Sequence, residues 1–212
     1  MSDGGHVENI RPRSRREKEL RRAQRALARC KRASKRRRKV RERLATAQRR
    51  IQQARTSRLH QVTADLTQRY AFIAVEDLKL RNMTRSARGN AEEPGTNVRQ
   101  KAGLNRELLD AAPARLIQML TYKAERAGGM VVGVDPRRTS LECSSCGTMV
   151  EKTLSERRHI CGCGADLHRD HNAAINILNR ALAAHGRAKP PGDGNVGHQS
   201  VRRLGTAVAK AA

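Results

Sequence analysis

The chain has 212 residues and carries 45 Lys plus Arg against 20 Asp plus Glu, a net charge of +25. A charge of that size exceeds what solubility needs and calls for a polyanionic partner, of which nucleic acid is the commonest. No apolar run is long enough to span a bilayer and none follows Met1-Ser2-Asp3-Gly4-Gly5, so membrane and secreted classes are set aside and a cytoplasmic setting is expected.

Aromatic residues are confined to Tyr70, Phe72 and Tyr122. Binders of single strands stack bases on aromatic rings. With three rings this chain is better suited to reading a duplex or a backbone by charge.

Residues 1–12 are polar and close at Pro12. From Arg13 to Arg88 neither Gly nor Pro occurs, so helix can run through most of that span. Leu20, Ala23, Leu27 and Cys30 recur at three- and four-residue steps. Val40, Leu44, Ala47, Ile51 and Ala54 do the same, and Leu59, Val62 and Leu66 continue the stripe. Between the two sets lies a basic turn near residues 31–36, with Ser34 as a candidate N-cap. The pattern predicts a helical hairpin over 13–69. Residues 11–58 hold 22 Lys or Arg against three Glu (Glu17, Glu19 and Glu42), whereas solvated helices mix both signs. A helix pair of one sign is suited to lying along phosphates. Arg32, Lys35, Arg36, Arg37, Arg38 and Lys39 at the turn are the candidate contacts, with Arg81, Arg137 and Arg138 further on.

Ala71-Phe72-Ile73-Ala74-Val75 reads as a buried strand, closed by Glu76-Asp77. Residues 81–102 read as a polar loop. Leu104, Leu108, Leu116 and Leu120 mark a helix that begins near Asn105 and that Pro113 divides. Met130-Val131-Val132-Gly133-Val134 is a second buried strand, ended by Asp135-Pro136, where Asp135 reads as a turn residue. Strand, helix, strand is a parallel crossover, so the fold class is α/β. Asn172 to Ala184 reads as a last apolar helix, and 186–212 as a disordered basic tail.

Two groups of residues carry chemistry. Cys143-x₂-Cys146 and, fourteen residues on, Cys161-x-Cys163 offer four thiolates, the tetrahedral set that Zn²⁺ prefers. The second hook is one residue short of the usual spacing, which leaves His159 as an alternative fourth ligand. Gly147 and Gly164 permit tight turns that aim backbone N–H groups at sulfur. Four filled positions make such a site structural, and a segment so poor in apolar residues needs the metal to fold. The other group is acidic. Glu76 ends one strand and Asp170 precedes a helix, and carboxylates at the carboxyl ends of parallel strands can hold Mg²⁺ for phosphodiester cleavage. Asp77, Asp110, Asp135 and Asp166 are equally acidic, and composition does not choose among them.

The order of these motifs closely resembles the TnpB/OrfB family of insertion-sequence proteins, relatives of the type V CRISPR effectors. The likeness rests on Ile73-Ala74-Val75-Glu76-Asp77-Leu78, Gly103-Leu104-Asn105-Arg106, Tyr122-Lys123-Ala124-Glu125, Val134-Asp135-Pro136, the cysteine hooks, and His168-Arg169-Asp170-His171-Asn172-Ala173-Ala174. The resemblance implies a partial RNase H-like (RuvC) core over 70–138, a zinc ribbon inserted at 139–167, and a last catalytic motif with its helix at 168–185. It implies an RNA-guided, Mg²⁺-dependent DNA endonuclease in which Glu76 matches the second catalytic acid, Asp170 the third, and Cys143, Cys146, Cys161 and Cys163 the ribbon ligands.

The family's first acid stands in a Gly-Ile-Asp-x-Gly strand, which does not occur in these 212 residues; residues 1–12 resemble the turn after a later strand. The chain is therefore expected to be the C-terminal portion of such a protein, binding DNA and guide RNA while cleaving nothing alone. A start further upstream, giving an intact enzyme, is one alternative. A non-catalytic zinc-ribbon regulator that binds nucleic acid is the other.

Overall fold

The structure, a computed structural model, describes residues 1–153 and 155–186, and the backbone of 206–209. From Pro12 to Arg69 the chain forms three helices: α1 (Pro12–Arg15), α2 (Glu17–Ala28) and α3 (Lys35–Arg69). After them come β1 (Phe72–Glu76), α4 (Leu80–Met83), α5 (Val98–Ala111), α6 (Pro113–Arg126) and β2 (Met130–Val134). Then follow β3 (Arg158–Ile160), β4 (Asp166–His168), α7 (Arg169–Ala184) and β5 (Thr206–Ala209). These elements fall into two units. One comprises Glu8–Val62 and Thr84–Pro113; the other comprises Met1–Val7, Thr63–Met83 and the described residues from Ala114 on.

The first unit is helical. Leu20 of α2 is buried with Ala47 and Ile51 of α3, and Leu44 packs against them, so the two apolar stripes meet. The turn between the helices is closed by side chains. The Ser34 hydroxyl accepts the Arg37 N–H at 3.1 Å, the N-cap bond that frees α3 from one orphan donor. Arg37 in turn donates from Nη1 to the carbonyls of Leu27 (3.2 Å) and Cys30 (3.4 Å), satisfying the exposed end of α2.

A second polar knot ties α1, α3 and α5 together. Asp110, 2% exposed, takes Arg55 Nη2 on Oδ1 at 2.5 Å and the Arg13 N–H on Oδ2 at 3.0 Å. Arg55 Nε also donates to the Asp110 carbonyl at 2.9 Å.

The stretch 81–102 is less of a loop than its polarity suggests. Leu80–Met83 is helical, and α5 begins at Val98, seven residues before Asn105. The last helix breaker before it is Gly95, and Val98-Arg99-Gln100-Lys101 contains nothing that opposes helix. Pro113 divides α5 from α6 across Ala112, which sits in the left-handed region at φ 51°.

In the second unit β1 is the middle strand of a three-stranded sheet ordered β2-β1-β5. Both neighbours are parallel to it: Phe72 pairs with Met130 and Glu76 with Val134 on one side, Phe72 with Thr206 and Val75 with Ala209 on the other. All five residues of β1 are buried. Helix α7 covers the sheet through Ala174, Ile177, Leu178, Ala181 and Leu182, packed with Phe72, Ala74 and Val134. The tail read as disordered over 186–212 lies largely outside the described residues. At Thr206–Ala209 that reading is corrected, since these residues form β5. Without β5 the edge of β1 would leave a row of backbone donors and acceptors unpaired, and Thr-Ala-Val-Ala carries no Gly or Pro to refuse pairing.

Removing the buried carboxylate of Asp110 leaves Arg55 Nη2 and the Arg13 N–H without their acceptor. Asp110→Ala is predicted to lower the unfolding free energy by about 3 kcal/mol, read by urea denaturation.

Candidate metal centre and acidic site

The four cysteines converge. Cys143, Cys146, Cys161 and Cys163 place their sulfurs within 4.8 Å of one another. Two of the separations are 3.7 Å (Cys143–Cys163) and 3.6 Å (Cys146–Cys161). A disulfide needs about 2.05 Å, whereas a tetrahedron with metal–sulfur bonds of about 2.3 Å has edges of roughly 3.8 Å. The donor set thus fits a tetrahedral, thiophilic metal ion.

Local sequence explains the convergence. The first hook turns at Gly147, φ 76°, whose N–H donates to the Cys143 carbonyl at 2.9 Å. The second turns at Gly164, φ 90°, whose N–H donates to the Cys161 carbonyl at 3.0 Å. Both angles favour glycine. These N–H groups close the turns onto carbonyl oxygen, where the spacing had suggested sulfur. The second hook sits at the tip of the antiparallel pair β3–β4. The Cys146 thiol is drawn down to about 6, first by its hydrogen bond to the Thr148 hydroxyl, while at Cys163 the hydrogen bond from the Ala165 backbone is outweighed by those to Cys146 and Cys161 and the thiol is pushed up to about 12. A depressed thiol is a better metal ligand, because the thiolate is what binds.

His159 is not part of the set. It is fully buried, its Nδ1 meets Lys152 Nζ, and Lys152 also donates to the Ser140 carbonyl at 2.9 Å. Burial, then the Lys152 charge, hold the imidazole below its usual pKa.

Glu76 closes β1 and is 8% exposed. Residues alternate faces along a strand, so Glu76 shares the face of Phe72 and Ala74, which pack on α7. The Phe72 ring meets His185, just past the end of α7, at 5.8 Å between centroids. The helix therefore runs back along the strand, and its first turn heads towards the strand end that Glu76 occupies. Asp170 lies in that first turn, inside the helix and not before it. His168 is the N-cap, accepting the Asp170 N–H on Nδ1 at 3.2 Å. A carboxylate in the first turn is favoured by the helix dipole.

Of the basic candidates, Arg32, Lys35, Arg36, Arg38 and Lys39 are exposed around the turn, while Arg37 is half-buried as a cap. Arg81 and Arg138 are exposed; Arg137 is exposed and paired with Asp135 at 3.0 Å.

Three residues to which the motif reading gave no role hold this region together. Asn172, Asn176 and Arg180 recur every four residues on α7 and bond the backbone and side chain of the segment that leads into Cys143. Polar residues at that spacing, in a helix otherwise apolar, were the available signal.

Two family models match the chain. The one described as a probable transposase, OrfB_IS605, covers residues 1–87. The Cas12f1-like TNB domain covers 114–177. The sequence is similar to TnpB-like proteins. InsQ of Escherichia coli (strain K12), provisionally named an RNA-guided DNA endonuclease, is 38% identical over 84% of this chain. A protein of Streptomyces pristinaespiralis with the same provisional name is 32% identical over 87% of it. The TnpB-like match is partial from the other side, since the chain spans 45% and 42% of those relatives' lengths. Among solved structures, a Cas12f1 captured in complex with sgRNA and target DNA aligns with a TM-score of 0.50 at 17% identity, covering 82% of this chain and 43% of that one. At that identity the likeness speaks to the fold.

Purified protein is predicted to carry one equivalent of tightly bound zinc by elemental analysis. Cys161→Ser, which removes a buried ligand, should lower that content below half an equivalent and expose residues 139–167 to protease, because the ribbon has little apolar core of its own.

Proposed function

We propose that this chain forms part of an RNA-guided, RuvC-like DNA nuclease, supplying two acids of a metal-dependent site, a zinc ribbon and a basic helical arm. The observation that carries this reading is the burial of a carboxylate at the carboxyl end of the middle parallel strand. Open parallel sheets form their sites at that end. Glu76 and Asp170 would hold Mg²⁺. When bound, such ions activate water and stabilise the leaving oxygen of a phosphodiester. The chain's own contribution is to fix the two carboxylates: Glu76 by its pairing with Val134 of β2, Asp170 by the N-cap and the packed body of α7.

The cysteine cluster is read as a zinc site because Zn²⁺ suits four thiolates in a tetrahedron. Its role is structural, with all four positions filled by protein. The exposed basic residues of α2, the turn and α3 supply the electrostatic contact to DNA or guide RNA, which also fits the scarcity of aromatic rings. The protein acts in the cytoplasm. The reading is preferred to a purely binding regulator because a regulator has no use for a buried acid at a strand end.

Within these 212 residues two of the three family acids are present, so the chain alone lacks the carboxylate that would bridge a metal pair. Purified protein is predicted to bind duplex DNA and RNA with an affinity that falls about a thousandfold between about 50 and about 200 mM salt, as neutralising roughly six phosphates requires. Glu76→Ala should leave that slope unchanged. Plasmid nicking with Mg²⁺ or Mn²⁺ should be absent. Cleavage abolished by Glu76→Ala would refute the claim of inactivity, and a binding curve insensitive to salt would refute the nucleic-acid contact.

A further inference from the structure

The segment Thr139–Ser144 is fastened to α7 at its polar backbone groups. Asn172, fully buried, accepts the Ser144 N–H on Oδ1 at 2.9 Å and donates from Nδ2 to the Glu142 carbonyl at 2.7 Å. Asn176, 5% exposed, donates to that same carbonyl at 2.7 Å and to the Thr139 carbonyl at 2.9 Å. Glu142 and Ser144 are the residues on either side of Cys143, itself 1% exposed. The backbone groups of Cys143 itself are engaged as well: its N–H donates to the Thr148 carbonyl, and its carbonyl accepts from the Gly147 N–H. Cys143 is thus held by α7 through its neighbours, while its sulfur faces the other three thiols.

Both ends of the helix extend the grip. Arg180 donates to the carbonyls of Asp135 (3.1 Å) and Arg137 (2.8 Å) and pairs with the Glu142 carboxylate at 2.7 Å. Arg169, beside Asp170, donates to the Thr153 carbonyl at 3.1 Å and lies 3.4 Å from the Ser140 hydroxyl.

We propose that Asn172 and Asn176, with Arg180, are positioning residues that couple metal binding at the four cysteines to the placement of α7, and through it to Asp170. Groups that orient metal ligands ordinarily act on the ligand side chain, and their loss costs about 10- to 100-fold in metal affinity. Here the same role falls on the backbone that carries the ligand. The carboxamides are buried, and a carbonyl stripped of its donor in a buried site is costly. An unoccupied thiol cluster and a seated α7 therefore disfavour each other, and the coupling is reciprocal. The Asp170 arm of this inference rests on the nuclease reading; the coupling of metal to α7 does not.

The test uses the full chain loaded with Zn²⁺ and competed with a chromophoric chelator. Asn172→Ala is predicted to weaken zinc about 10- to 100-fold. Asn176→Ala, whose two carbonyls keep Asn172 as donor, should weaken it several-fold, and Arg180→Ala, at a partly exposed position, by about two- to three-fold. Parent-like zinc affinity in Asn176→Ala and Arg180→Ala, with melting temperature lowered or not, overturns the coupling. Mn²⁺ binding followed by electron paramagnetic resonance separates the second arm. It should be present in the parent, reduced in Asp170→Asn and weakened in Asn176→Ala. Mn²⁺ binding that Asp170→Asn leaves unchanged refutes the acid site, while the zinc result stands by itself.

Discussion

Between Asn172 and Leu182, helix α7 is buried from two directions at once. Ala174, Ile177, Leu178, Ala181 and Leu182 face the sheet, and Asn172 and Asn176 face the approach to Cys143. The apolar side is non-directional: it fixes that the helix packs on β1 but tolerates sliding. The polar side is directional, because a carboxamide 2.7 Å from a carbonyl oxygen sets both distance and angle. Together they define one seat for the helix. The placement of Asp170 in its first turn follows from that seat.

The same division of labour recurs in the helical unit. Leu20, Ala47 and Ile51 bring α2 and α3 together with little area. Specific geometry comes from side chains that satisfy helix ends: Ser34 on α3, Arg37 on the end of α2, Asp110 on α1 through the Arg13 N–H. A unit carrying so many like charges and so few large apolar residues depends on such bonds, since self-repulsion works against its compact state. Arg37 shows why counting basic residues overstates a binding surface. One cation of the cluster is engaged in closing the turn beneath its exposed neighbours.

The sequence made some of this legible and not the rest, for physical reasons. The cysteine site was readable because thiolates at such spacing have few other uses in a chain that needs no disulfides, although choosing between Cys163 and His159 required the geometry that turns His159 towards Lys152. The strands at 72–76 and 130–134 were readable as short continuous apolar runs, but only the first is buried throughout as such a run implies; β2, an outer strand of the sheet, is exposed at Met130 and Gly133 and buried only at Val134. Strand β5 was not, since its pairing depends on an edge more than a hundred residues away. Asn172 and Asn176 looked like ordinary interruptions of an apolar helix; their meaning lies in the carbonyls of Thr139 and Glu142, which local patterns do not reveal. Glu76 could be singled out from the other acids by resemblance alone; burial does not separate it from Asp110, which is more buried and ties helices together.

If α7 is the shared wall of the sheet and the cysteine knuckle, its stability must follow the metal. Hydrogen–deuterium exchange by mass spectrometry, on zinc-loaded and zinc-stripped protein, measures this peptide by peptide. The account predicts that stripping removes protection from residues 143–163 and, with it, from 172–182, while the helices of the other unit exchange as before. Loss confined to the knuckle, with α7 as protected as in the loaded protein, would contradict it.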